Sequence, residues 1–177
     1  MAKPVRVFIL AGQSNMEGHG FVTADDKRNE GKGSLEFLAR EPATEKRFGP
    51  LADGHGGWRA RDDVGIFQLE RQGPLTAGFG ANREKIGPEL GFGWVVGDAF
   101  DEPVLLVKCA WGGKSLGVDF RPPSAGKVPY TLGEKTDAAL AEKPETVGHY
   151  YRATAARMKG GLARIKEVVP GRDGNDI

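Results

Sequence analysis

A single cysteine, Cys109, stands in the 177-residue chain, so no internal disulfide can brace the fold, and no CxxC spacing offers a redox pair or a thiolate metal site. An excess of one charge is also missing. Lys and Arg number 25 against 24 Asp and Glu, leaving a net charge of +1 with both signs interspersed, which removes the basic field that polyanion binding needs. Nucleic acid is therefore not an expected partner. No apolar run approaches the ~20 residues that a membrane-spanning helix requires, so no membrane partner is expected either. Residues 1–4 pass straight into a strand-like run, without the basic, apolar and small-residue succession of a secretory leader. The compartment stays open: intracellular, or secreted or periplasmic if a leader was removed. Gly (27) and Pro (11) are in excess, together about a fifth of the chain against an average near 12%. At this length the expectation is one loop-rich domain over residues 1–177.

The run Val5, Arg6, Val7, Phe8, Ile9, Leu10, closed by Ala11 and Gly12, has the composition of a strand buried on both faces of a parallel sheet. Residues 18–85 are polar and glycine-rich and predict long excursions, with one short helix over 34–40. Pro88 and Glu89 start a helix to about residue 100, since proline suits the first helical turn and the amide dipoles there favour a carboxylate. A second buried strand covers 103–109 and breaks at Ala110, Trp111, Gly112 and Gly113. After a further loop, Thr146 is placed to cap a helix whose residues Val147, Tyr151, Thr154 or Ala155, Met158, Leu162, Ile165 and Val169 fall three to four apart, and Pro170–Gly171 ends it. Strand, helix, strand, helix predicts parallel pairing in an α/β fold, with the site on loops at the strand C-terminal ends. The last residues, up to Ile177, resemble a turn and the start of a third strand.

Gly12, Gln13, Ser14, Asn15 and Met16 follow the first strand directly. A serine at such an edge can attack an acyl carbon while nearby backbone amides hold the oxyanion. A serine that caps a helix occupies the same kind of position. The G-x-S-x-G elbow is not matched, because position 16 is methionine. Spacing alone leaves both readings open.

The block from Val7 to Met16 closely resembles the first block of the sialate O-acetylesterase-like branch of the SGNH hydrolases, related to carbohydrate esterase family 6. Gly87, Pro88 and Glu89, and then the run Cys109, Ala110, Trp111, Gly112, Gly113, Lys114, Ser115, Leu116, are similar to two further blocks of that branch, in the same order. The resemblance implies a three-layer flavodoxin-like α/β fold with a parallel sheet. It also implies a serine esterase that hydrolyses acetyl esters on carbohydrates without metal or other cofactor. Ser14 would be the nucleophile. Its own amide and that of Gly113, favoured over Gly112, would form the oxyanion hole. Gln13, Asn15, Glu89 and Trp111 would contact substrate, although a glutamate at a helix start is also explained by the helix dipole alone.

Family members continue beyond this length. A Gln-Gly-Glu-like block after the third strand supplies another oxyanion donor, and an Asp and a His near the C-terminus complete the triad. Neither is present in these 177 residues, so the chain is expected to be the N-terminal portion of the fold. The remainder of the same protein, as a separate fragment or as further chain, is then an expected partner beside the acetylated carbohydrate. Three internal histidines are candidate substitutes for the missing base: His19 close to Ser14, His55 beside Asp53, and His149 in the first turn of the long helix. Gly113, Lys114 and Ser115 also resemble the end of a phosphate-binding loop, but the glycine that loop needs five residues earlier is Lys108. Trp58, Phe79, Trp111 and Tyr130 are loop aromatics with faces suited to sugar rings, Trp111 above the rest. The rival to the esterase is a non-catalytic carbohydrate-binding or interaction protein that keeps the front half of the fold.

Overall fold

The computed structural model describes residues 3–169. Its centre is a four-stranded sheet in the order β1, β6, β3, β4. β1 (Arg6–Gly12) runs parallel to β6 (Val104–Ala110), with Arg6 opposite Val104 and Gly12 opposite Ala110. β6 also pairs in parallel with β3 (Arg61–Gln68), Gln68 lying opposite Lys108. β4 (Arg71–Leu75) folds back antiparallel on β3. A two-stranded ribbon, β2 (Gly20–Phe21) with β5 (Lys85–Ile86), lies apart from this sheet.

Alternation along β6 sorts the core into two faces, as strand geometry requires. Val104 and Leu106 point with Leu10, Val64, Ile66 and Leu75 into a cluster that includes Val96 of helix α4 (Pro88–Ala99). Leu105, Val107 and Cys109 point the other way, with Val5 and Phe67, onto Ile165, Val168 and Val169. Those residues belong to, or directly follow, the short helix α7 (Ile165–Val168), which continues α6 (His149–Ala163) after a break at Arg164. Helix, sheet and helix make three layers. At the far end of the sheet Arg61 ties β3 to α4, its guanidinium bonded to Asp63 and, at 2.6 Å, to Asp98.

The remaining helices are short. α1 (Ser14–Glu17) is a single turn. α2 (Leu35–Arg40) begins where the sequence places it, capped by the Ser34 hydroxyl accepting from the Phe37 amide at 3.2 Å. α3 (Glu45–Phe48) and α5 (Glu134–Glu142) bury none of their residues.

Several expectations are corrected. The excursion over 18–85 contains the hairpin β3–β4, so the sheet has four strands instead of two. β3 opens with Arg61, Asp62 and Asp63 and is continuously buried only from Val64 to Gln68, too short an apolar run to stand out. β4 contains Gly73 and Pro74, tolerable because it is an edge strand. β1 is not buried on both faces: it is the other edge, and Ile9 is 45% exposed. The long helix starts at His149 after Gly148 in the left-handed conformation, φ 70°, while Thr146 ends a preceding 3-10 turn and bonds the Lys143 carbonyl. Its buried stripe follows the expected one except at Tyr151, which is exposed: Leu162, Ile165 and Val169 pack into the core, beside Gly161 against Phe67 and Val107. The expected helix stop at Pro170–Gly171 and the strand start near Ile177 lie outside the described residues.

Candidate active site

The final paired residues of β1 and β6, Gly12 and Ala110, are neighbours, and the Trp111 amide donates to the Gly12 carbonyl at 3.2 Å just beyond them. Ser14 and Gly112 each stand two residues past that pair, so the adjacent strand ends bring the expected nucleophile and the glycine pair to one edge of the sheet. Ser14 is half-buried as the first residue of α1, while Gln13, Asn15, Gly112 and Gly113 are exposed. The Ser14 hydroxyl donates to Gln13 Oε1 at 2.9 Å.

Close backbone approach explains several of the glycines here. A Cβ on Gly112 would lie 2.8 Å from Glu17 Oε2, the tip of a side chain that would have to swing aside. Gly113 has φ +69°, a conformation that favours glycine. Gly18, at φ +85°, passes Gly87 so tightly that a Cβ would meet its Cα at 2.2 Å.

Under this edge lies a buried ion pair that the residue-by-residue reading missed. Lys108 and Glu89 are both fully inaccessible, with Nζ 2.6 Å from Glu89 Oε2. The same ammonium donates to the Phe79 carbonyl at 2.7 Å and the Glu17 carbonyl at 2.9 Å. Glu89 Oε1 accepts from the Gly87 amide at 2.8 Å. Burial pushes the Lys108 ammonium below its usual range, and the Glu89 carboxylate pulls it back up. Three acceptors around one ammonium use all three of its protons, so Lys108 has no lone pair to offer Ser14 as a base. Glu89, expected as a substrate contact or a simple dipole partner, has no exposed surface. The signal for the pair was a lysine inside an otherwise apolar buried strand.

None of the three histidines is arranged as a base for Ser14. His19 Nε2 lies 3.5 Å from Glu17 Oε2 and Nδ1 lies 3.2 Å from Lys85 Nζ. The Asp53 carboxylate accepts from the backbone amides of His55 and Gly57, which hold it below the usual carboxylate range; it braces its own loop instead of orienting an imidazole. His149 is exposed and packs edge-on against Tyr150.

The aromatics also separate. Trp111 is half-buried against Tyr150 and Phe120, at centroid distances of 5.0 and 6.1 Å, with the Lys114 ammonium 4.9 Å from the Tyr150 ring. Phe79 is buried in the core. Tyr130 is exposed, and Trp58 lines a cavity of about 340 Å³ together with Glu36 and Arg40. Among the described residues no three His, Cys, Asp or Glu side chains converge as a metal site.

A mostly parallel sheet between helical layers, with the candidate residues at the strand C-terminal ends, defines an α/β protein of the flavodoxin-like type. The chain belongs to the carbohydrate esterase family described as sialic acid-specific acetylesterase, whose model matches residues 4–147. No curated protein matches it. An X-ray structure of a protein from Arabidopsis thaliana is similar at 17% identity and a TM-score of 0.45, covering 88% of this chain and 50% of that one. The chain thus spans about half the length of that protein.

Proposed function

We propose that the chain carries the nucleophile of a serine esterase that removes acetyl groups from carbohydrate hydroxyls. The observation that supports this most is that Ser14 and the Gly112–Gly113 pair both follow neighbouring strand ends within three residues, inside a chain whose family is one of carbohydrate esterases. In this reading Ser14 Oγ attacks the acetyl carbonyl carbon and its proton passes to a base. The tetrahedral oxyanion is held by the amides of Ser14 and of Gly113 or Gly112. The sugar oxygen leaves with that proton, and water then releases acetate from the acyl-serine. Gln13, Asn15 and Trp111 border this edge and are assigned to the substrate.

The base is assigned to the remainder of the same protein, outside residues 1–177, because the Ser14 hydroxyl donates to Gln13 and none of the His19, His55 and His149 rings bonds it. A non-catalytic carbohydrate-binding role is the second reading. It is favoured by one observation, the Ser14 hydroxyl bonded to Gln13 with no imidazole on it. Turnover of p-nitrophenyl acetate by the full protein separates the two. Ser14→Ala is expected to lower turnover at least ~100-fold, the scale of a lost nucleophile. Turnover that survives Ser14→Ala unchanged removes Ser14 from the mechanism.

A further inference from the structure

α1 is one turn long, and a turn this short cannot hold itself, because nucleating a helix costs more than its first hydrogen bonds return. It has two backbone bonds, from the Glu17 amide to the Gln13 carbonyl at 2.8 Å and from the Gly18 amide to the Ser14 carbonyl at 3.0 Å. What fixes its far end is the Lys108 ammonium on the Glu17 carbonyl. That ammonium is fixed in turn by Glu89 at the start of α4 and by the Phe79 carbonyl, and Glu89 is fixed by the Gly87 amide. Gly87 packs on Gly18, the residue that ends α1. Three separate parts of the chain therefore close around one ammonium, and one of them is the turn that carries Ser14.

We propose that Lys108 and Glu89 are positioning residues for Ser14: the buried pair clamps the Glu17 carbonyl and so sets the α1 turn, and with it the serine hydroxyl, against Gly112 and Gly113. The proposal rests on the reading of Ser14 as nucleophile. Neither residue touches substrate, since both are fully inaccessible. Their contribution is geometric. A carbonyl held at its last residue leaves a one-turn helix little freedom to tilt, and a displacement near 1 Å at a reacting group is enough to cost about 100-fold in rate.

The test compares the full protein with Glu89→Gln, whose amide has a single acceptor oxygen and so cannot serve both Lys108 and the Gly87 amide, and with Glu89→Leu/Lys108→Met, which leaves neither charge buried alone. Competent sites are counted by stoichiometric fluorophosphonate labelling, so that kcat is expressed per reactive serine. Backbone amide exchange is followed at residues 15–18. The expected result, in variants that still melt cooperatively, is a kcat per site lowered at least ~10-fold with KM held within about threefold, and exchange at residues 15–18 accelerated at least ~10-fold. A role in stability alone would lower Tm and the number of labelled sites while leaving kcat per site and the exchange of α1 unchanged, and that outcome overturns the proposal. If the double variant does not fold, Glu89→Gln decides by the same two readouts. Failure of the esterase reading looks different: Ser14→Ala would then be labelled and turn over substrate as the parent does, while exchange at residues 15–18 still reports whether the clamp exists.

Discussion

A lysine in a strand whose other residues are Val104, Leu105, Leu106, Val107, Cys109 and Ala110 stays charged only if the fold supplies an anion and enough acceptors to replace water. The chain supplies both through Glu89, Phe79 and Glu17. This was half legible in the sequence. The sequence shows Glu89 as a carboxylate at a helix start and holds Lys108 as a charge within an apolar strand, but nothing in their spacing shows that the two meet. Parallel strands and their crossover helices bring together residues that local pattern cannot pair. The neighbouring Cys109 is a simpler residue-scale case. It is fully buried, and desolvation pushes its thiol up to about 11. The unfolded chain ionises its thiol first, near pH ~8.5. The folded state therefore holds more protons between the two values, and stability falls as pH rises through that window. Urea midpoints measured at pH 8 and at pH 10.5 should drop more for the parent than for Cys109→Ala. Equal slopes would mean that the thiol is not desolvated.

The elements legible in the sequence carry either a continuous apolar run or a marked start. All seven residues of β6 are buried, and α4 opens on Pro88 at the expected place. β3 and β4 were hidden because a strand that opens on three charged residues and an edge strand with glycine and proline both lack the period that pattern reading needs. Gly65 shows how tightly the hidden element is nevertheless specified. A Cβ there would lie 2.4 Å from the Val168 carbonyl oxygen and 3.0 Å from its carbonyl carbon. The near atoms are backbone of α7, which cannot rotate aside as a side chain can. Gly65→Ala should therefore lift α7 from the sheet and cost about 1–3 kcal/mol or more, as overpacking does. The edge proposed to carry Ser14 as nucleophile is formed by β1 and β6, so competent-site counts per folded molecule should stay near the parent value. A thermal melt paired with fluorophosphonate labelling checks both halves, and an unshifted melt would show that α7 is not seated on β3.

On the scale of the whole molecule, the sheet has two different edges. β4 ends it on one side with Gly73 and Pro74, residues that discourage further pairing. β1 ends it on the other side with a row of backbone groups that pairs with no other strand among the described residues. Val7 packs toward the α7 face and Phe8 toward the α4 face, so alternation puts Ile9 on the α7 face, where it is 45% exposed. Across the sheet, Phe92 at 36% and Val95 at 68% flank the same border on α4, with Phe92 edge-on to Phe8 at 5.3 Å. A parallel sheet ordinarily covers both faces of its strands, and here the covering stops one strand short. The uncovered apolar area, at about 25 cal/mol per Å², favours any arrangement that buries it. Residues 1–177 expressed alone are therefore expected to bind an apolar dye and to associate as concentration rises. Ile9→Lys should reverse both, because a lysine on an open edge opposes strand addition. Since Ile9 is already half in water, the change should alter folding stability by no more than about 0.5 kcal/mol. Sedimentation across a concentration series, with dye fluorescence on the same samples, gives the answer. A parent chain that stays monomeric and binds no dye would mean that the β1 edge is tolerated as it stands.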